Sequence, residues 1–138
     1  MGIDKGSVRQ KLMQRAVDNN IELANVIHPK SKISPWCKIG KGVLICADAC
    51  INIGATIGDG VILNTGAIVG HDCTIGNYVH MGPNSCTCGH STVGDRSWVG
   101  VGTAIKECVT IGSDVMIGAG STVIGNVPDG VTAYGVVK

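Results

Sequence analysis

The 138-residue chain has no phenylalanine, and its only aromatic side chains are two tryptophans and two tyrosines. Rings are the usual filling of a globular core, so 3% aromatic content points to an interior too thin to hold them. Charge is also sparse: charged residues make up 15% of the chain, the net charge is +1 and no basic block occurs, which argues against a nucleic-acid partner. No run of 18 apolar residues is present to cross a membrane, and Met1–Asn20 is too polar for a secretory signal. The expectation is a soluble, cytoplasmic protein of one domain with no membrane partner. An even cysteine count is lacking too. The seven are Cys37, Cys46, Cys50, Cys73, Cys86, Cys88 and Cys108, several in slots where Ala or Ser would fit. They read as reduced thiols used as small apolar side chains in a reducing compartment. Cys86-x-Cys88-x-His90 lacks the two-to-four-residue spacing of zinc sites, so no metal is expected.

What the chain does have is a period of six. From Ile27 to Val123 every sixth residue is aliphatic, with Thr87 the one exception. The position two before is small or β-branched (Ala49, Ala55, Val61, Ala67, Cys73), and the position after is often Gly (Gly40, Gly58, Gly70, Gly76, Gly82, Gly94, Gly100, Gly112, Gly118). Residues two apart on a strand share a face, so each hexad sends one large and one small side chain inward. The glycines are expected at the corners, where positive φ is tolerated. This is the signature of a hexapeptide-repeat parallel β-helix. If three hexads make one triangular coil, residue n lies beneath n+18, coils stack at about 4.8 Å, and the repeat gives five to six coils.

Residues 1–24 are expected to form an N-terminal helical cap or stub, 25–130 the β-helix, and 131–138 a tail that leaves the hexad register. Ser7–Asp18 reads as a short amphipathic helix with Val8, Leu12, Met13, Ala16 and Val17 on one face, Ser7 as N-cap and Asn19-Asn20 as the stop. Its expected role is to cover the open first coil. Flat outer faces suggest self-association, with three prisms about a three-fold axis as a closed arrangement.

Three histidines lie mid-solenoid. His71, two residues past an inward position, should project from a corner, where an imidazole can take a proton from an attacking amine or hydroxyl. Asp72 is placed to orient that ring. By the 18-residue rule His80 lies under Trp98, and His90 lies above Asp72. His80 is either a polar ring packed on an indole or a second imidazole beside the reacting group. Asn64 is either a left-handed corner residue or an amide for a ligand. His28, before Pro29, reads as structural, as does His90.

Ile62-Leu63-Asn64-Thr65, then Val69-Gly70-His71-Asp72-Cys73-Thr74-Ile75-Gly76-Asn77-Tyr78-Val79-His80, then Cys86-Thr87-Cys88-Gly89 resembles the hexapeptide-repeat sugar acyltransferases, typified by sialic acid O-acetyltransferases and bacterial nucleotide-sugar N-acetyltransferases. The likeness includes Ile27-His28-Pro29 and covers nearly the whole chain. It implies an all-β, left-handed β-helix, a homotrimer, and acetyl-coenzyme A bound between neighbouring subunits. It further implies that His71 is the general base, Asp72 its acidic neighbour, and Asn64 and His80 residues near the acetyl group. In the same way Gly89 offers a backbone N–H to the thioester oxygen, while Gly118 and Ala119 lie along the coenzyme arm. Full-length relatives carry an N-terminal Rossmann-like subdomain for the nucleotide-sugar, which is missing here; Ser7–Asp18 resembles that subdomain's last helix. The chain is therefore expected to be a natural short form or a fragment. The tail Tyr134-Gly135-Val136-Val137-Lys138 lacks the family's Gly-x-Pro-Ala-Lys ending.

The expected function is acetyl transfer from acetyl-CoA to an amino sugar, nucleotide-linked by the resemblance. The alternatives are a small-molecule O-acetyltransferase acting on serine or a sugar hydroxyl, and a non-catalytic β-helix scaffold. A γ-type carbonic anhydrase would want an H-x4-H pair, which the spacings of His71, His80 and His90 do not supply.

Overall fold

The computed structural model describes residues 6–138, so the first five residues of the expected 1–24 cap lie outside the described residues. One helix, α1 (Gly6–Asp18), precedes nineteen two-residue strands. All strand pairings are parallel, and through most of the chain each joins residue n to n+18, as in Val26 with Leu44 and His80 with Trp98. Three sheets of seven, seven and five strands form the walls of a prism of about six turns, matching the left-handed β-helix of hexapeptide repeats expected above.

The interior is the predicted double column: Val43 with Ile45, Ala49 with Ile51, Ala55 with Ile57, Val61 with Leu63 and so on to Val123, all at most 4% exposed. Burying each large aliphatic contributes roughly 1.5–3 kcal/mol. None of the four aromatic residues is in this core; Trp36 and Tyr134 are among the most exposed side chains. All seven cysteines are free thiols.

The glycines after the inward position have a different cause from the one expected. None of them has positive φ; the left-handed residues come two positions later, in three columns that run up the corners. One column is Gly54, Asp72, His90 and Cys108, with φ of 74°, 56°, 59° and 59°. The glycines after the inward position are small because the next coil lies against them. A Cβ on Gly94 would sit 2.5 Å from the Gly112 carbonyl carbon, and one on Gly100 would sit 2.6 Å from the Ala119 nitrogen.

Two further expectations are corrected. Ser7 lies within helix α1 rather than capping it; Asn20, at φ 57°, does end it. The helix also packs through Gly6, Arg9 and Met13, leaving Val8, Leu12 and Val17 exposed. It runs along the corner column of Gly42, Gly60, Tyr78 and Arg96, not over the open end. Gly6 fits against Tyr78 and Arg96, Met13 reaches Gly42 and Gly60, and the Arg9 guanidinium donates to the carbonyls of Gly60 and Tyr78. The tail does leave the 18-residue step and still pairs: Met116 with Thr132 and Thr122 with Val136, steps of 16 and 14 residues.

Candidate active site

The register places the candidate residues on two different corners. His71 and Asp72 follow the strand Ile68–Val69, and Gly89 and His90 occupy the same corner one coil on. Asn64, by contrast, follows Ile62–Leu63, and His80 lies on the first sheet beside it. Gly118 and Ala119 follow Met116–Ile117, on the corner column of Asn64 three coils away. One wall of the prism, the second sheet, separates the two groups within a chain.

At the first corner His71 Nδ1 and Asp72 Oδ2 are 2.9 Å apart, with the side chains 54% and 50% exposed. The carboxylate accepts the Nδ1–H, which leaves Nε2 as the ring's proton acceptor. Nε2 lies over the Cα of Gly89, where any Cβ would strike it. Gly89 is therefore needed for space. Its own N–H makes no hydrogen bond among the described residues, whereas the flanking Cys88 and His90 N–H groups donate to the carbonyls of Ile105 and His71. His90 completes the corner, with its Nε2 3.9 Å from Asp72 Oδ2 and its ring edge-on to His71 at 5.0 Å.

Beneath this corner lies the reason for the one break in the aliphatic series. Thr87 is 3% exposed, and its Oγ1 accepts the N–H of Gly70, at 3.1 Å, immediately before His71. Elsewhere the equivalent N–H donates to a carbonyl of the next coil, as Gly58 does to Ile75 and Gly76 to Val93. The Thr87 hydroxyl in turn donates to Cys73 Sγ, and the Cys73 thiol donates to the Cys88 carbonyl. This short buried chain ties the coil of His71 to the coil of Gly89. Thr87 and Cys73 were not singled out as site residues from sequence; the broken aliphatic rule was the signal that could have found them.

At the second corner Asn64 is not left-handed, which removes that reading of it. Its Oδ1 accepts the Thr65 N–H at 2.8 Å, which fixes the amide so that Nδ2 faces His80 Nε2 at 3.2 Å. His80 must then accept at Nε2 and carry its proton on Nδ1. The ring is 2% exposed and packs on Trp98 at 4.3 Å between centroids. Burial, and secondarily the Arg9 charge, push its pKa down to about 4, so it is neutral at physiological pH. A base that weak is a hydrogen-bonding group, not the proton acceptor of a reaction near neutrality. Among the described residues His80 Nδ1 is buried without a partner. The ring borders both a small cleft of about 190 Å³ near Gly6, Arg96 and Asp114 and an open groove of about 450 Å³. Asn64, Trp98, Met116, Gly118 and Ala119 also line the groove. The Gly118 N–H is used by the Ala133 carbonyl. Gly118 must also stay small because the Tyr134 ring lies against it.

Among the described residues the only group of three or more potential metal ligands is His71, Asp72 and His90; Cys86 and Cys88 do not join it. Among the described residues no helix is long and apolar enough to cross a membrane.

A parallel β-helix with an imidazole–carboxylate pair on one corner and an apolar groove on another is the build of a hexapeptide transferase. Residues 54–89 and 90–125 match the bacterial transferase hexapeptide (six repeats) model, and the chain belongs to that family. Among solved structures it is similar to PerB from Caulobacter crescentus, in complex with CoA and GDP-perosamine, at 44% identity and a TM-score of 0.94. It is also similar to the acetyltransferase domain of PglB from Neisseria gonorrhoeae FA1090, in complex with acetyl coenzyme A, at 34% identity and 0.93. WeeI from Acinetobacter baumannii AYE is similar at 30% and 0.91. Each likeness covers 95% of this chain, but 63%, 64% and 64% of those chains respectively, so the chain spans less than two thirds of their length.

Proposed function

We propose that the protein transfers an acetyl group from acetyl-CoA to the amine of a nucleotide-linked amino sugar, in a site built between two chains of a homotrimer. The observation that carries this reading is the His71–Asp72 pair with the unbonded Gly89 N–H beside it, one prism wall away from the apolar groove. A base and an oxyanion donor on one corner need a thioester delivered to them. The groove that fits a pantetheine arm is on another corner, so a neighbouring chain supplies it. Three prisms about a three-fold axis set the groove of each against the dyad corner of the next. The relatives crystallised with CoA, GDP-perosamine or acetyl coenzyme A support the choice of co-substrate and acceptor class.

In this scheme His71 Nε2 accepts the proton of the acceptor amine as its nitrogen bonds to the thioester carbon. Asp72 holds the ring in the Nδ1–H form and stabilises the imidazolium. The Gly89 N–H donates to the oxyanion. Collapse expels the coenzyme thiolate, which takes the amine's proton from His71. Asn64 and neutral His80 line the arriving acetyl end, while Gly118 and Ala119 border the arm. No resident metal is required. Free-thiol release from acetyl-CoA, against a panel of 4-amino nucleotide-sugars, free amino sugars and serine, tests the reading. Acceptor-dependent release that falls by about 10²–10⁴-fold in His71→Ala supports it. Release unchanged in that variant, or none with any acceptor, sinks it.

A further inference from the structure

His90 has no part in the transfer scheme, yet it faces the same carboxylate as the base. Asp72 and His90 stand in one corner column, both left-handed, and each is pinned by a backbone hydrogen bond: Asp72 N–H to Ile53 at 2.9 Å and His90 N–H to His71 at 3.0 Å. Below them Gly54 leaves room for Asp72 Oδ1, since a Cβ there would strike it. That seating turns Oδ2 toward the two imidazoles, 2.9 Å from His71 Nδ1 and 3.9 Å from His90 Nε2. One ligand atom from each of the three residues lies within 4.8 Å of the other two.

We propose that His71, Asp72 and His90 form a binding site for a divalent transition-metal ion of the zinc, cobalt or nickel class. Two imidazoles and one carboxylate are the donor set such ions take, whereas magnesium and calcium prefer oxygen. Metal–ligand bonds of about 2.0–2.2 Å place donors in a tetrahedral site roughly 3.4 Å apart. His71 Nδ1 and Asp72 Oδ2, at 2.9 Å, must therefore open by about 0.5 Å, while His90 Nε2, at 3.9 Å from Oδ2, closes by about 0.5 Å. Side chains 54%, 50% and 60% exposed can make that adjustment by rotating about their χ angles. The backbone is already fixed, so little ordering is needed. Three protein ligands leave a fourth position to water. With the ion bound, His71 ligates through Nδ1 and carries its proton on Nε2, so the ion takes both the carboxylate and the base that the proposed transfer uses, and zinc at this corner is also an inhibitor. That consequence rests on the proposed function; the binding does not.

The test reads binding in the absence of acetyl-CoA. Metal-free protein is titrated with Co²⁺, followed by its d–d absorption, and Zn²⁺ is then added to displace it. His90→Asn and Asp72→Asn are compared with the wild type, because asparagine tolerates the left-handed corner; Cys88→Ser and Cys108→Ser control for the exposed thiols nearby. The expected result is one equivalent per chain, displaced by Zn²⁺. Binding weakens at least about tenfold in both asparagine variants, with unchanged melting, and is unaffected in the serine variants. No saturable binding, wild-type binding in His90→Asn, or loss of binding in a serine variant overturns the site. Metal binding without transfer activity would leave the site standing and count only against the proposed function.

Discussion

Thr87 is the sharpest place to test how the fold positions the chemistry. Replacing it with valine keeps the shape, adds a methyl to an aliphatic core and removes the acceptor of the buried Gly70 N–H. An orphaned buried donor costs about 1–3 kcal/mol. The added methyl offsets roughly 0.8 kcal/mol of that, leaving a net loss of roughly 0.2–2 kcal/mol. Thr87→Ser makes the opposite change: it keeps the hydroxyl and loses the methyl, at about 1 kcal/mol. The two variants should thus lose similar stability in denaturant melts and differ in activity. Gly70 precedes His71, and the chain through Cys73 ends on the Cys88 carbonyl, so the loss in Thr87→Val reaches both coils of the dyad corner. Acetyl transfer should fall at least about tenfold in Thr87→Val and stay within about twofold of wild type in Thr87→Ser, since a 1 Å misplacement can cost about 10²-fold. If Thr87→Val is more stable than wild type and fully active, the residue is there for packing and this reasoning is wrong.

Gly89→Ala should lower kcat at least about tenfold while leaving the fold intact, because the new Cβ displaces the His71 ring; wild-type kcat would mean the ring does not work from this position. His80 gives a pH signature. Its folded pKa, about 4, lies below its unfolded value, so its neutral form contributes stability that is complete above about pH 6.5 and is lost as pH falls through 4. Denaturant midpoints should decline across that window by an amount worth up to about 3 kcal/mol. His80→Gln should flatten the decline, and an equally steep profile in the variant would assign it to other groups. Arg9→Met, which removes the donor to the Gly60 and Tyr78 carbonyls, should loosen helix α1 and raise hydrogen exchange there without altering exchange in the coils.

The period of six made the solenoid, its inward columns and the 18-residue register readable, because each hexad repeats one local solution. His80 under Trp98 followed from that register. The two-corner arrangement was not drawn from it, although residues 64 and 71 differ by about one hexad, a wall of the prism. Other features were hidden by causes outside the period. The helix was read for apolar spacing, but its docking surface is a column of corner residues and open carbonyls, which takes Gly6, Arg9 and Met13 rather than Val8, Leu12 and Val17. The glycines were assigned to backbone conformation, but contact with the next coil selects them, and that is a property of stacking. The tail strands Thr132–Ala133 and Val136–Val137 keep their pairing while abandoning the count, so a periodic reading ends before they do. Thr87 stood out in the sequence as an exception; its role needed Gly70 beside it.

Mixing two inactive variants asks whether the transfer site is shared between chains. His71→Ala damages the dyad corner and leaves the groove whole; His80→Gln damages the groove and leaves the dyad whole. Co-expressed in equal amounts and assembled at random, the two should rebuild about a quarter of wild-type sites, because each needs an intact corner from one chain and an intact groove from its neighbour. Acetyl-CoA turnover near that level, with each variant alone inactive, is the predicted result. Turnover no higher than that of the separate variants would mean that the two corners do not serve one site, and the account would fail.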